Sequence, residues 1–522
     1  MASARHPASP HARLPARLPT RSAKTPIAKV SYCEGHVLCS GSSSHIDQET
    51  KGTGNLSLKF CANGEKYMIH KYRLNGYRIV MDTNSGAVHL FEEAPFLMLD
   101  YLEKEDCVPE LPPQDMMEAL CGQFDEETLT QAYAELRELY TSGQLFSADE
   151  YEKFATMMTN APIKSMCLNI AHDCNLRCEY CFAAKGDFGR GRMLMPLEVA
   201  KKAIDFLIEK SGPRHNLEVD FFGGEPLMNF DVVKETVAYA RSIEKAHNKN
   251  FRFTITTNGL LLTDDKIDFI NREMSNVVLS IDGRKEVNDR LRVRTNGSGS
   301  YDTIVPRFQK LVATRGKDKD YYARGTFTKY NLDFTEDVLH LVDLGFDQVS
   351  VEPVVSDPKL SYSIQEEDLP RVFEEYERLA NTIIARKKEG RGFNFFHFMI
   401  DLNQGPCAIK RLRGCSCGNE YVAVTPEGDI FPCHQFVGED EWKMGNVLDG
   451  SYDMERKNMF ALANVYSKEQ CKNCWAKFYC SGGCNANNWQ YEGDIHKPHS
   501  IACALEQKRL ECAVMIQAAL AE

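Results

Sequence analysis

Between Ile163 and about Arg391 the apolar positions switch repeatedly between two periods. The runs SMCLNIAH, LEVDFF, FRFTITT, NVVLSID, YYARGTFT and DQVSVEP read as strands. Between them PLEVAKKAIDFLIEKSG, DVVKETVAYARSIEKAH, DDKIDFINRE, YDTIVPRFQKLVAT and TEDVLHLVDLG carry apolar residues three to four apart, as helices do. A repeating strand–helix unit implies parallel strands, helices outside them and right-handed crossovers. Six such units predict an α/β fold, a partial (β/α)6 TIM-like barrel over residues 161–395, with its chemistry on loops at the carboxyl ends of the strands.

From Met68 the stretch MIHKYRLNGYRIVMDTNSGAVHLF alternates like a strand meander, with turn signals at Asn75–Gly76 and at Asn84 to Gly86. Helical spacing follows around Ala94 to Leu102, in DEETLTQAYAELRELYTSGQ, and around Ala148 to Met158. Together they predict a winged-helix-like module over 68–160, although an ordinary α+β cap fits the same pattern. Residues 1–67 form a separate stretch. It opens with Arg5, Arg13, Arg17, Arg21, Lys24 and Lys29 and no acid before Glu34, which predicts disorder. A transit-like segment has this composition, but an overextended start ahead of Met68 is the favoured expectation. After Phe395 the periodicity breaks into short Gly- and Cys-rich pieces, predicting a third domain, 396–522, organised by ligands more than by a core.

The length of 522 residues suits about three domains. No apolar run is long enough to span a bilayer, and the formal charge of -12 disfavours a phosphate backbone as partner. Neither membrane nor nucleic acid is expected. Nineteen cysteines, an odd number clustered at short spacings with no signal-like apolar stretch before them, favour metal or cluster ligation in a reducing cytoplasm over disulfides. Cys33, Cys39, Cys61, Cys107, Cys121, Cys167 and Cys512 read as ordinary thiols.

Cys174, Cys178 and Cys181, in AHDCNLRCEYCFAAKG, follow the first barrel strand as C-x3-C-x2-C. A structural zinc site usually closes with four ligands, and disulfides use cysteines in pairs. Three thiolates can instead hold three corners of a cubane iron–sulfur cluster and leave one iron open to a small molecule.

The run CNLRCEYCF resembles the signature of radical S-adenosylmethionine (SAM) enzymes, and FFGGEPL, TITTNG, LSIDG and DRLRVRTNGSGSYD follow in that family's order. The resemblance implies catalysis at the cluster of Cys174, Cys178 and Cys181, where reductive cleavage of SAM yields a 5'-deoxyadenosyl radical. It implies that Gly223, Gly224, Glu225 and Pro226 bind the methionine amino group, Glu225 being the polar member. Asn258, Ser280, Asp282 and an arginine among Arg290 and Arg292 would hold the ribose and carboxylate. Alone, each fragment is an ordinary turn or loop. Glu352, in VSVEPVV, is a further candidate near SAM, with helix capping as the plain alternative.

CKNCWAKFYCSGGC, with Cys503 after it and CSCGNEYVAVTPEGDIFPC before it, is similar to the SPASM extension of radical SAM enzymes, which holds two auxiliary 4Fe-4S clusters. The family's pairing would put Cys471, Cys474, Cys480 and Cys503 on one cluster, and Cys433 and Cys484 with Cys415, and with Cys407 as a further candidate, on the other. Cys417 fits the same spacer as Cys415, yet residues two apart serve one iron poorly. A zinc ribbon is the alternative for such spacings.

From about Met68 onward, MIHKYRLNGYRIVMDTNSGAVHLFEE, GPCAIKRLRGC and EYVAVTPEGDIFPCHQFVG look like the maturases of SCIFF peptides (six cysteines in forty-five residues). The resemblance implies thioether formation in a Cys-rich precursor peptide whose leader pairs with the N-terminal module as an added strand. It also implies three 4Fe-4S clusters and a reductant such as flavodoxin or ferredoxin. The cluster of Cys415, Cys433 and Cys484 is expected to keep an iron open for the substrate sulfur. A formylglycine-forming anaerobic sulfatase maturase is the alternative, and a non-enzymatic iron–sulfur electron carrier a more distant one.

Overall fold

The structure is a computed structural model and describes residues 67–104, 107–157, 161–400, 402 and 411–521. The basic N-terminal stretch, Cys33, Cys39, Cys61 and Cys407 lie outside the described residues.

The chain opens with strands β1 (Ile69–Leu74), β2 (Tyr77–Asp82) and β3 (Val88–Leu90) in an antiparallel meander. Asn75 (φ 51°) and Gly76 (φ 83°) make the first turn, where both central residues of a two-residue hairpin need positive φ. Helices α1 (Glu93–Leu102), α2 (Gln114–Leu120) and α3 (Glu126–Thr141) follow, the last capped by Asp125, which accepts from the Thr128 N–H. Alternation along β2 sends Val80 into a small core with Leu99, Leu102, Leu129 and Leu136. Ile79 and Met81 point the other way, into the main core.

The helix expected around Ala148 to Met158 is not there. The described part holds only a single 3-10 turn at Glu152–Phe154. Its polar groups are bound from outside: Ala155 O accepts from Arg413 and Asn464, and Asp149 accepts from Tyr466 and Lys477. The segment is a strap along the C-terminal domain.

The barrel strands are β4 (Ser165–His172), β6 (Asn216–Gly223), β7 (Asn250–Thr257), β8 (Asn276–Ser280), β9 (Asp320–Phe327) and β10 (Gln348–Pro353), adjacent and parallel in that order. A two-residue strand, β5 (Met193–Leu194), pairs with the end of β4. Helices α4 (Leu197–Lys210), α5 (Phe230–Ile243), α6 (Asp264–Glu273), α7 (Lys285–Leu291), α8 (Tyr301–Ala313) and α9 (Phe334–Asp343) connect successive strands, and α10 (Leu369–Lys388) follows β10. All of β4 is buried, as expected of a parallel strand covered on both faces. The result is the six-unit radical SAM-type α/β fold expected from the sequence.

Both sheet edges are extended. Strand β11 (Asn394–Phe395) lies parallel to β10, and β12 (Tyr421–Val424), from the Cys-rich region, lies parallel to β4. That region has more core than its composition suggested. Phe436, Trp442, Phe460 and Trp489 pack together, with ring centroids 5.0–5.8 Å apart, in one cluster with Cys417 and Cys433. The terminal helix Ser500–Ala521 packs on α10, and Leu505, Met515 and Ile516 join the main core. Among the described residues no helix is long and apolar enough to cross a membrane.

Candidate active site

The turn after β6 lies flat on the cysteine loop after β4. Gly224 N–H donates to Ala171 O and Glu225 N–H to Asp173 O, each at 2.8 Å. A Cβ on Gly224 would stand 2.1 Å from Asp173 O, and one on Gly223 (φ +120°) 2.3 Å from Ala171 O. Gly186 completes the contact, because a Cβ there would stand 2.6 Å from Cys174 Cβ. Gly186 was not singled out from the sequence; its only signal is its place five residues after Cys181.

Glu225 is 1% exposed. Its Oε1 accepts from Leu227 N–H (3.0 Å) and the Thr257 hydroxyl (2.8 Å), and Oε2 accepts from Asn258 N–H (2.8 Å). A carboxylate offers about four acceptor positions, so one remains for an added donor. Burial raises the pKa of Glu225 against these hydrogen bonds, so a cationic amine is the donor that restores its charge best. Pro226 starts the 3-10 turn that Glu225 caps. The Asn258 side chain donates to Asn175 Oδ1 at 2.8 Å and to Cys174 Sγ at 3.7 Å, so the β7 end also meets the cysteine loop.

On the other side Tyr180, between Cys178 and Cys181, donates to both oxygens of Asp282 at 2.7 and 2.9 Å. Arg292 donates to the Tyr180 oxygen at 2.8 Å and stands 3.8 Å from Asp282 Oδ1. Arg292 also acts electrostatically on Cys178 and Glu225. Of the two candidate arginines it alone joins this group, since Arg290 lies over the Tyr330 ring at 3.6 Å. Ser280 ends β8 opposite Arg324 in the register. Among the described residues Glu352 caps no helix; it pairs with Arg324 at 2.6 Å, with His397 3.8 Å away. Tyr180, Thr257 and Arg324 escaped the sequence reading.

Inside the barrel a cavity of about 410 Å³ is lined from the strand starts at Glu218, Arg252, Asn276 and Asp320, past Asp220, to Phe222, Arg324 and His434; neither the cysteine loop nor Glu225 lines it. Phe182, exposed beside the cysteine loop, faces His434 with ring centroids 5.5 Å apart. Burial, reinforced by Glu218, pushes the Asp220 carboxyl up to about 6, and burial pushes His434 down to about 4.

The cysteine loop suits a metal cluster. Burial pushes Cys174 up to about 12 and Cys178 up to about 11, and neighbouring thiols push each further. Arg292 opposes this at Cys178. Two thiols raised in this way, with Cys181 beside them, ionise together only around added positive charge, which cluster irons supply.

Eight of the remaining described cysteines form two groups. Cys471, Cys474, Cys480 and Cys503 are mutual electrostatic neighbours. In the other, Cys417 hydrogen-bonds with Cys415 and with Cys433, and Cys484 lies close enough to act on it. Ser416 in left-handed backbone (φ 57°) turns the Cys415 and Cys417 thiols toward each other, so two thiols two residues apart join one group. Among the described residues this group has four thiols without Cys407. Buried Lys468 faces both groups.

Comparison with known proteins agrees with this arrangement. The sequence profile of the Radical SAM superfamily matches residues 168–318, and that of the SPASM iron–sulfur cluster-binding domain matches residues 415–475. The chain thus carries a radical SAM domain and a SPASM domain, the domains through which SAM and iron–sulfur clusters are bound. It is 25% identical to the cysteine-type anaerobic sulfatase-maturating enzyme of Clostridium novyi, over 60% of this chain and 86% of that one. It is 26% identical to the serine-type enzyme of Bacteroides thetaiotaomicron over 64% and 85%. Identity to the radical SAM cyclopropyl synthase TigE of Paramaledivibacter caminithermalis is 22%, over 83% of this chain and 91% of that one. The solved structure of anSMEcpe with bound AdoMet superposes with TM-score 0.57 at 18% identity, covering 69% of this chain and 95% of that one, a likeness of fold.

Proposed function

We propose that this enzyme forms thioether links between cysteine sulfurs and carbon atoms in a ribosomally made, Cys-rich precursor peptide of the SCIFF type. The edge of β3, which no further strand pairs among the described residues, is the observation that carries the reading. Phe91 N–H bonds to Arg78 O and Asp82 N–H to Ala87 O, so by alternation Val88 and Leu90 turn their backbone groups away from β2. Val88 is buried and Leu90 half-buried, so a leader added here as a fourth strand starts its pairing at Leu90 and displaces what covers Val88. The other edge strand, β1, is held by the body: His70 stacks on Trp475 at 3.8 Å, and Tyr72 donates to Glu511 O at 3.0 Å. The match to TigE is longer than everything after residue 160, so it runs into the N-terminal module, whereas the sulfatase-maturase matches are no longer than the barrel and SPASM regions together.

In this reading residues 68–160 recognise the leader, 161–395 bind SAM and 396–522 hold two auxiliary clusters, in a cytoplasmic protein reduced by a flavodoxin or ferredoxin. SAM, when bound and reduced, supplies a 5'-deoxyadenosyl radical that takes a hydrogen atom from carbon. Glu225 receives the methionine amine, Arg292 and Asp282 fix Tyr180 beside the cluster loop, and the reacting side chain enters at the carboxyl ends of the strands, where these residues stand. As the C–S bond forms, the C–H hydrogen leaves with 5'-deoxyadenosine and the thiol proton goes to solvent. The remaining electron goes to an acceptor that the SPASM cysteines would hold. An iron open to substrate sulfur in the Cys415 group requires one of its four thiols to stand aside.

The test is incubation of reduced, reconstituted protein with SAM and a Cys-rich peptide, read by mass spectrometry. Loss of two hydrogens per link supports thioether formation; SAM cleavage with an unchanged peptide contradicts it. Formylglycine formation is the second reading, favoured by the two sulfatase-maturating relatives. An aldehyde formed on a sulfatase-derived Cys or Ser peptide would select it.

A further inference from the structure

Lys468 is 1% exposed. Its ammonium donates to two neutral oxygens, Gly482 O and Asn485 Oδ1, both at 2.7 Å. No carboxylate stands within ion-pair distance among the described residues; Cys471 N–H donates to Lys468 O at 2.9 Å, Asn485 also donates to Cys417 Sγ at 3.6 Å, and the thiols that act on the ammonium are Cys471 and Cys480 from one group and Cys417 and Cys484 from the other. Gly482 (φ +86°) makes room, since a Cβ there would stand 3.2 Å from the lysine Cδ.

A buried ammonium with no counter-ion costs several kcal/mol. Arg292, buried beside Cys178, has Asp282 at 3.8 Å, whereas Lys249 and Lys457, buried with no thiol acting on them, donate as Lys468 does to neutral oxygens. Lys468 has only thiols on both sides, and they become its counter-charge once ionised as ligands. We propose that Lys468 is the shared counter-charge of the two auxiliary clusters, a positioning residue that holds their reduction potentials up and lies on the path between them. The proposal rests on the reading that both thiol groups carry iron–sulfur clusters. Net charge around a cluster is a main determinant of its potential. Removing the ammonium, or pairing it with a carboxylate, therefore makes each cluster harder to reduce.

Two substitutions test the charge in different ways. Lys468→Met keeps much of the apolar stem and removes the charge. Asn485→Asp keeps the lysine and gives it a near-isosteric carboxylate. Both are made in full-length protein carrying Cys174→Ala, Cys178→Ala and Cys181→Ala, so that only auxiliary clusters report. Iron, zinc and sulfide are counted after anaerobic reconstitution, and potentials are measured by EPR-monitored titration. The expected result is parental iron in both variants, with the reduction equilibrium of at least one cluster moved tenfold or more toward the oxidised form, about 59 mV for one electron. Unmoved potentials at full iron would overturn the proposal. Equal loss of iron from both variants would overturn it too, because charge removal and charge pairing would then act only through the fold. A parent that binds zinc, or no iron, would remove the cluster reading itself, a failure visible before any potential is measured.

Discussion

Asn258 donates its backbone N–H to Oε2 of Glu225 at 2.8 Å, joining the ends of β7 and β6 through one buried carboxylate. The Asn258 side chain reaches Asn175 and Cys174 from the same position, so the Glu225 carboxylate and the cysteine loop are set by one residue. Glu225→Gln keeps the shape but loses the charge and an acceptor position. SAM affinity is expected to fall by about 10- to 100-fold, on the order of 1.4 to 2.8 kcal/mol, with cluster iron unchanged. Equilibrium dialysis with SAM and an iron assay check both parts.

The flat contact between the two loops makes Gly224 sensitive. In Gly224→Ala the new methyl meets Asp173 O, a backbone atom that can move only with the cysteine loop. Destabilisation of about 1 to 3 kcal/mol and loss of barrel-cluster iron are expected. Gly122→Ala has open space at its Cβ and serves as the control. Thermal unfolding and iron content provide the readout.

Asp220 gives a pH signature. Burial, with Glu218 close by, raises its pKa from 3.8 to about 6. A folded-state pKa above the unfolded one contributes stability below about pH 4 that is lost as pH rises through about 6. Asp220→Asn removes that loss. The variant should be more stable than the parent at pH 7, by on the order of 2 kcal/mol, and the difference should vanish near pH 4. Unfolding curves across that range test the sign.

The edge of β3 is open to a backbone test. Leu90→Pro removes an N–H that points away from β2, a position where an edge strand tolerates proline. Leader-peptide affinity should fall at least tenfold while SAM cleavage without peptide is kept. Fluorescence anisotropy of a labelled leader measures the first quantity and chromatography of 5'-deoxyadenosine the second.

The six barrel strands were legible because each has its own short apolar run between amphipathic helices, and parallel strands need no long-range cue to be recognised. The cysteine loop and the GGEP turn were legible as chemistry. Other features are properties of three-dimensional contact. Gly186 matters because Cys174 lies over it, and Tyr180 because Asp282 and Arg292 meet its hydroxyl. Lys468 reads as a surface lysine until the two cysteine groups close around it. The terminal helix Ser500–Ala521 has apolar residues on most sides near its end, where it is covered by the body, so it shows no amphipathic stripe. The strap at Ala148 to Met157 has helical spacing, but beyond one 3-10 turn its hydrogen bonds are drawn by the C-terminal domain, through Ala155 O and Asp149.

The central claim is hydrogen abstraction from a peptide carbon that then bonds to sulfur. Its most direct test gives the reconstituted full chain SAM and a precursor peptide deuterated on carbon at all residues except cysteine. The account predicts one deuterium in 5'-deoxyadenosine for each thioether formed, with cysteine carbon positions untouched. Deuterium-free 5'-deoxyadenosine, or a cysteine converted to an aldehyde in place of a C–S bond, would contradict it.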